Sequence, residues 1–306
     1  MVQAPHPPAA DPLGRPSLRR ALIIANPISG RGQGLLAARD LQQALLAKGI
    51  GAELYLTQGR NDAFRRLRGL STGLHDLVIA VGGDGTVREV VAGLVDPSIP
   101  IGILPLGTAN VVAREFDLPR DVHEAVEILA RGRTSALDVA RVDGHMSCFV
   151  TGVGIDGMAV QEVERRRRGP ITMLAYVRAM LAVLPSYRRP NLEVEIDGVR
   201  VGTDIGLALI SNTRGYGGLF RLSSTARPDD GRLEIYLLPR ATRLRLARAA
   251  LSALTTELAG VCDVRQGRQV RVRSAEPVPY QVDGDFRGTT PVEVEISDRQ
   301  YRIVIP

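Results

Sequence analysis

The chain has 306 residues, enough for two domains or one large one, and its 44% apolar and 24% charged residues exclude a disordered or fibrous protein. Its net charge of +6 is carried almost wholly by arginine, Lys48 being the only lysine, and suits a nucleotide, a nucleic acid or an anionic lipid surface. Cys148 and Cys262 stand far apart without metal-site spacing, so a disulfide framework or zinc site is excluded and a reducing compartment is the default.

In chain order, residues 1–17 are rich in Pro and Ala and are predicted to be a disordered tail without the apolar core of a signal peptide. An apolar strand over 21–25 runs into Asn26-Pro27-Ile28-Ser29-Gly30. A helix over 35–46 stops at Gly49, a strand covers 52–56 and a helix 62–70. Residues 76–81 read as a buried strand, and Gly82-Gly83-Asp84-Gly85-Thr86 leads into a helix over 86–94. Thr86 and Glu89 have the spacing of a capping box. A strand over 101–104 ends at Pro105-Leu106-Gly107-Thr108-Ala109-Asn110, and a helix follows through Phe116. Asp121, with Glu124 three positions on, opens a further helix that Gly132 closes. Repeated βα units predict a mostly parallel sheet with helices on both faces.

The second half changes period. Leu192, Val194 and Ile196 alternate with Glu193, Glu195 and Asp197, and the same alternation recurs over 270–273 and 292–296. Period two with Gly and Asp turns predicts an antiparallel sheet with one face in the core. Two helices interrupt it. One spans 171–184, opened by Pro170, interrupted by Arg178 and too short to cross a bilayer. The other spans 242–258, with Leu244, Leu251 and Leu258 in register. The domain boundary falls near 135–145.

Three loops of the first half follow strand C-terminal ends: 26–30, 82–86 and 107–110. Ligands of an open α/β sheet bind beyond those ends, so the three can share one site. Glycines at a strand-to-helix turn let a phosphate approach backbone N–H groups and the helix dipole. Asp84 repels phosphate unless a metal or a hydroxyl proton lies between, which points to phosphoryl transfer. Asn26, Ser29, Thr57, Thr108 and Asn110 offer hydrogen bonds to phosphate or ribose. Each loop alone also reads as an ordinary turn. In the second half, Asp156, Asp230-Gly231 and Asp283-Gly284-Asp285 are acidic turns. Asp-Gly is a hairpin signal, and a metal held by a carboxylate and turn carbonyls has the same sequence. The carboxylates of Asp283 and Asp285 share a direction if strand geometry persists. The run of four arginines over 165–168 reads as a solvated loop or, beside the 171–184 helix, as an anchor for anionic lipid.

Asn26-Pro27-x-Ser29-Gly30, Gly82-Gly83-Asp84-Gly85-Thr86, Leu106-Gly107-Thr108-Ala109-Asn110, Gly152-x-Gly154-x-Asp156, Asp230-Gly231-x-Leu233 and Asp283-Gly284 stand in an order that resembles the bacterial diacylglycerol kinases and the related sphingosine and ceramide kinases. The resemblance covers about residues 20–306. It implies an α/β domain with a mostly parallel sheet, of the NAD kinase and diacylglycerol kinase type, over 18–138. A β-rich, sandwich-like antiparallel lipid-substrate domain would span 139–306, its last strand returning to the first domain. It implies ATP and Mg²⁺ as cofactors and transfer of the γ-phosphoryl group to a lipid hydroxyl, that of diacylglycerol first and of a sphingoid base or ceramide second. By that resemblance Asn26, Thr57, Gly83, Gly85, Thr86, Glu89, Gly107 and Thr108 line the nucleotide site. Asp283 is the general base of the diacylglycerol kinases, and Asp84 takes that role in the sphingosine kinase branch. Asp230, with the carbonyls of Arg227 and Arg232, holds a structural Mg²⁺. The family has Glu where this chain has Asp285, which leaves open whether the shorter side chain reaches a metal.

The expected setting is cytoplasmic, with transient contact at an anionic membrane surface, no nucleic-acid partner and a homodimer compatible with exposed strands. Low aromatic content leaves no stacking platform for nucleic acid. NAD kinases and phosphofructokinases also carry Gly-Gly-Asp-Gly, but the Asn-Glu pair and Thr-Gly-Ser-Thr-Ala run of NAD kinases do not follow it here. A non-catalytic nucleotide- or lipid-binding regulator is the other alternative, against which the intact Asp84 and Asp283 argue.

Overall fold

The computed structural model describes residues 19–71, 73–166 and 173–306. The tail 1–17, the last two arginines of the 165–168 run, Pro170 and Ile171 lie outside the described residues.

The first unit alternates strand and helix: β1 (Arg20–Ala25), the turn α1 (Ser29–Gly32), α2 (Gly34–Ala47), β2 (Gly51–Leu56), α3 (Asp62–Arg68), β3 (Leu77–Gly82), α4 (Asp84–Gly93), β4 (Ile101–Pro105), α5 (Val111–Glu115) and α6 (Val122–Arg131). Its strands lie parallel in the order β4-β3-β1-β2. The middle strand β3 is buried at every residue, as a strand covered on both faces must be. Alternate residues of β1 point to opposite layers. Ile23 packs with Leu41 and Leu45 of α2 and Leu129 of α6, whereas Leu22 and Ile24 pack with Val87, Val90 and Val91 of α4. The register pairs Ala25 with both Leu56 and Val81, and Val81 with Leu104, so four strands end on one line.

The second unit holds β5 (Thr134–Val142), β6 (His145–Ser147), β7 (Val150–Gly154), α7 (Ile155–Arg166), α8 (Met173–Val183), β8 (Leu192–Ile196), β9 (Val199–Ser211), β10 (Gly215–Tyr216) and β11 (Phe220–Arg221). It continues with β12 (Leu233–Pro239), α9 (Arg243–Thr255), β13 (Asp263–Gly267), β14 (Gln269–Ser274), β15 (Pro279–Val282), β16 (Asp285–Thr289) and β17 (Val292–Val304). Its main path is antiparallel, β16-β15-β7-β9-β8-β14-β17, with β12 and β13 branching from β9 and β5 and β6 from β17. Leu192, Val194 and Ile196 are buried, the alternation read from sequence. The long strand β17 pairs antiparallel with β14 and β5, then meets β4 in parallel at Ile303 and Ile101. The two units therefore share one continuous sheet.

Two helices differ from the sequence reading for local reasons. The helix after the glycine loop starts at Asp84, with extended Gly83 as its N-cap, so Thr86 sits inside the first turn and forms no capping box. Glu89 instead turns to α3 and accepts from the amides of Asn61 (2.8 Å) and Ala63 (3.2 Å), capping that helix from outside. The 242–258 helix stops at Thr255 and resumes as a single 3₁₀ turn, so Leu258 is buried while Leu244 and Leu251 face solvent. The buried side of α9 is Leu246, Ala249 and Ala253.

Candidate active site

The 26–30, 82–86 and 106–110 loops meet beyond the aligned strand ends. The Leu106 amide donates to Gly82 O (2.8 Å), and the Asn26 amide donates to Val81 O (3.0 Å). Thr57 joins the same edge through its amide to Ala25 O (2.9 Å). Gly83 and Gly107 lie backbone against backbone, and a Cβ on Gly107 would stand 2.6 Å from Gly83 Cα. Gly85 faces open space, Thr108 is exposed, and Ser29 opens the α1 turn. These groups ring the N-terminus of α4, where amides without intrahelical partners collect. Asn110 is buried and reaches back to Gly107, accepting from its amide and donating to its carbonyl, both at 2.8 Å. Its role here is to fix the loop. Asn26 closes a local turn, Oδ1 accepting from the Ile28 amide at 3.2 Å.

The close approach carries a prediction. Gly107→Ala forces the two loops apart and is expected to weaken nucleotide binding by about tenfold, a loss of ~1.4 kcal/mol. Isothermal titration with a non-hydrolysable ATP analogue checks it, and unchanged affinity would show that the loops give way elsewhere.

The acids come from both units. Asp84 Oδ1 accepts from the Val111 amide at 2.6 Å, tying α4 to the start of α5. Burial pushes its carboxyl up to about 6, and the charge of Asp283 adds to the rise. Asp283 occupies the first position of a two-residue hairpin turn between β15 and β16, with φ 50° at Asp283 and 83° at Gly284. Strand geometry therefore does not persist, and the carboxylates of Asp283 and Asp285 take different hydrogen-bond partners. Oδ1 of Asp283 accepts from Ser147 Oγ (3.0 Å) and the amides of Phe149 (2.9 Å) and Val150 (3.1 Å), while Oδ2 accepts only from the Cys148 amide (2.8 Å). Burial raises this carboxyl too, and Arg88 opposes the rise. Asp285 accepts from three arginines at Oδ2: Arg88 (2.5 Å), Arg60 (3.1 Å) and Arg287 (3.4 Å). Burial alone would raise it, but the arginines outweigh burial and hold it below the ordinary aspartate value.

Arg88 on α4 thus reaches across to the acidic turn of the other unit. No motif marked it, and only its place one helical turn after Asp84 could have drawn attention to it. Gln281, Tyr216 and Tyr176, which no motif marked, join Asp156 in holding that turn from behind. Gln281 Oε1 accepts from the Gly284 amide (2.7 Å), and its Nε2 donates to Asp156 Oδ2 (2.9 Å). Tyr216 donates to Asp156 Oδ1 (2.8 Å), and Tyr176 of α8 donates to Gly284 O (3.2 Å). The β10–β11 hairpin bridges the units: Gly218 abuts the Ala109 backbone, and Arg214 clamps Glu115 through its amide and guanidinium at 2.8 and 2.7 Å.

Asp230 lies apart, exposed, with Oδ1 accepting from the Arg232 amide (3.0 Å), while Arg227 pairs with Asp229 (3.2 Å). The turn closes on itself and offers a metal one carboxylate. The buried Asp138 braces it by accepting from the Gly231 amide at 2.6 Å.

A family model of the diacylglycerol kinase catalytic domain matches residues 20–142, and one of the YegS C-terminal NAD kinase beta sandwich-like domain matches 149–305. The diacylglycerol kinase of Bacillus subtilis is 29% identical over 94% of this chain and 97% of its own. That of Mycobacterium tuberculosis is 29% identical over 97% and 99%. A solved diacylglycerol kinase of Bacillus anthracis has the same fold, with a TM-score of 0.71, 20% identity and coverage of 94% and 97%. The two matched domains are therefore those of a phosphotransferase of the lipid kinase class. The chain belongs to the bacterial diacylglycerol kinase family.

Proposed function

We propose that the chain transfers the γ-phosphoryl group of ATP, with Mg²⁺, to the free hydroxyl of diacylglycerol. The observation that carries this reading is geometric: α4, which carries Asp84 at the glycine loop, reaches the Asp283 turn of the other unit through Arg88, which donates to Val282 O (3.5 Å) and Asp285 Oδ2 (2.5 Å) on either side of that turn. The loop amides and the α4 N-terminus receive phosphate. Asp283 accepts the hydroxyl proton at Oδ2, the oxygen with a single donor, while the three donors on Oδ1 hold its orientation. Arg88 stays protonated beside it and offsets charge at the junction. Mg²⁺, when bound, neutralises charge growing on the transferred group. Asp84 would hold it: its carboxylate stands in the first turn of α4 beside the glycine loop, with Oδ1 engaged by the Val111 amide. Mg²⁺ needs only one or two carboxylates with phosphate oxygens, so the absence of a cluster of three acidic, His or Cys ligands among the described residues is no obstacle. Asp285, committed to three arginines, fits a metal poorly.

A neutral glycerol hydroxyl suits this site better than a sphingoid base. An ammonium needs a free carboxylate, and Asp156 is already taken by Tyr216 and Gln281, Asp285 by arginines. The membrane is the source of such a substrate, and no helix among the described residues is long and apolar enough to cross one. Labelled Mg-ATP with diacylglycerol, a sphingoid base and ceramide in mixed micelles, resolved by thin-layer chromatography, tests the reading. The expected product is labelled phosphatidic acid alone. Nucleotide binding without any labelled lipid would favour the regulator.

A stability prediction follows from Asp84. Its folded pKa of about 6 exceeds the unfolded 3.8, so its favourable contribution is full below 3.8 and lost as pH rises through about 6. At pH 7.5 the ionised side chain therefore costs stability. Asp84→Asn, which keeps an acceptor for the Val111 amide, is expected to stabilise the metal-free protein by about 1–2 kcal/mol more at pH 7.5 than at pH 4.5, where the folded carboxyl is still protonated. Urea denaturation at the two pH values reads this, while turnover is lost.

A further inference from the structure

Two helices of the second unit expose the same pattern. On α8, Leu174, Val177, Arg178 and Leu181 are exposed; on α9, Leu244, Ala247, Arg248 and Leu251 are exposed. Each set has the spacing i, i+3, i+4, i+7, one face of a helix, with arginine at the same place. The five leucine and valine side chains are 46% to 71% exposed, and Leu254 extends the α9 stripe at 50%. The opposite sides of both helices are buried in one layer. Leu246, Ala249 and Ala253 of α9 and Met180 and Val183 of α8 pack with Leu207 and Leu209 of β9 and with Tyr236 and Leu238 of β12. Both stripes therefore turn outward from the same face of the sheet. Arg243 at the start of α9 donates to Pro185 O just past α8, at 2.5 Å, which joins their ends.

We propose that these two stripes form one docking surface for an anionic lipid bilayer, with the leucines entering the acyl boundary and Arg178 and Arg248 at the headgroups. The surface rests on the proposed lipid substrate, and it names how that substrate is reached. Leucines exposed beside arginines suit such an interface, the leucines burying apolar area at the acyl boundary while the long arginine side chains keep their guanidinium groups at the headgroups. Charge selects lipid over a second copy of the chain. A symmetric dimer would set each stripe against itself and bring like-charged arginines together, whereas anionic headgroups match them. Position supports the same occupant. Tyr176, on the inward side of α8, donates to Gly284 O beside Asp283, so the helix that carries one stripe outward packs its other side on the turn proposed to meet the lipid hydroxyl.

The test is co-sedimentation of the full chain with vesicles, without ATP. Vesicles of phosphatidylcholine alone are compared with an equimolar mixture of phosphatidylcholine and phosphatidylglycerol. Leu181→Ser with Leu251→Ser is expected to lose about tenfold in affinity for the mixed vesicles, and Arg178→Gln with Arg248→Gln a similar factor that disappears at high salt. Both variants are surface changes, so phosphorylation of a short-chain, water-dispersed diacylglycerol is expected to stay at the wild-type rate. Wild-type binding in both variants would overturn the proposal. So would a wild-type dimer that the leucine variant converts to a monomer, which would assign the face to a second copy. Vesicle binding that the variants abolish, from a protein that labels no lipid, would sink the kinase reading and leave the surface standing.

Discussion

Asp283→Asn is expected to lower turnover by about 10²–10⁴-fold, the range for loss of a positioned general base, while leaving nucleotide affinity near that of the wild type. The geometry makes this a clean variant. An amide oxygen in place of Oδ1 keeps the three donors from Ser147, Phe149 and Val150. Only the new NH₂ group meets a donor, the Cys148 amide, at a cost of about 1–3 kcal/mol. The protein should therefore fold, with a lower denaturation midpoint. Single-turnover phosphorylation of diacylglycerol in mixed micelles, with nucleotide titration on the same preparation, separates the two effects. Turnover within threefold of the wild type would move the base assignment to Asp84, whose carboxyl burial pushes up to about 6.

The βα half of the fold was legible because its strands are short apolar runs and its loops carry strong punctuation. Asp121 and Gly132 cap α6 as their sequence positions indicate, Asp121 accepting from the Glu124 amide at 2.9 Å. The Gly83–Asp84 turn was legible as a strand-to-helix loop, but its cap was not. Thr-x-x-Glu is a local signal, and a tertiary partner, the bare N-terminus of α3, captured Glu89 instead. The acidic turn shows the same limit from another side. Asp143-Gly144, Asp197-Gly198 and Asp283-Gly284 have one sequence signature and one conformation, with both residues at positive φ. What separates Asp283 is the ring of donors from 147–150, more than 130 residues away, and no local pattern encodes that. The shared sheet was hidden from the local pattern for a similar reason, and only the family resemblance implied that the last strand returns to the first domain. The alternation over 292–296 predicts a strand, but not that its far end pairs with β4.

Arg88 is the residue on which the two units converge, and its loss should be felt in stability and in pH dependence together. Its side chain and that of Asp285 are 15% and 14% exposed, so their ion pair is largely desolvated. Removing one partner of such a pair costs about 3–5 kcal/mol when the other charge is left alone. Asp285 keeps Arg60 and Arg287, so Arg88→Met is expected to cost less, about 2–3 kcal/mol in urea denaturation. Adding Asp285→Asn should recover most of that loss, because no carboxylate is then left under-compensated. Activity should not recover with it. Arg88 is also what opposes the burial-driven rise of Asp283, and without it that carboxyl titrates higher. The acidic limb of the pH–rate profile should therefore move to higher pH in Arg88→Met and remain there in the double variant. A limb that returned with stability would mean that Arg88 acts only as a strut between the units. A limb that stays displaced in a stable protein would mean that it sets the charge state of the base.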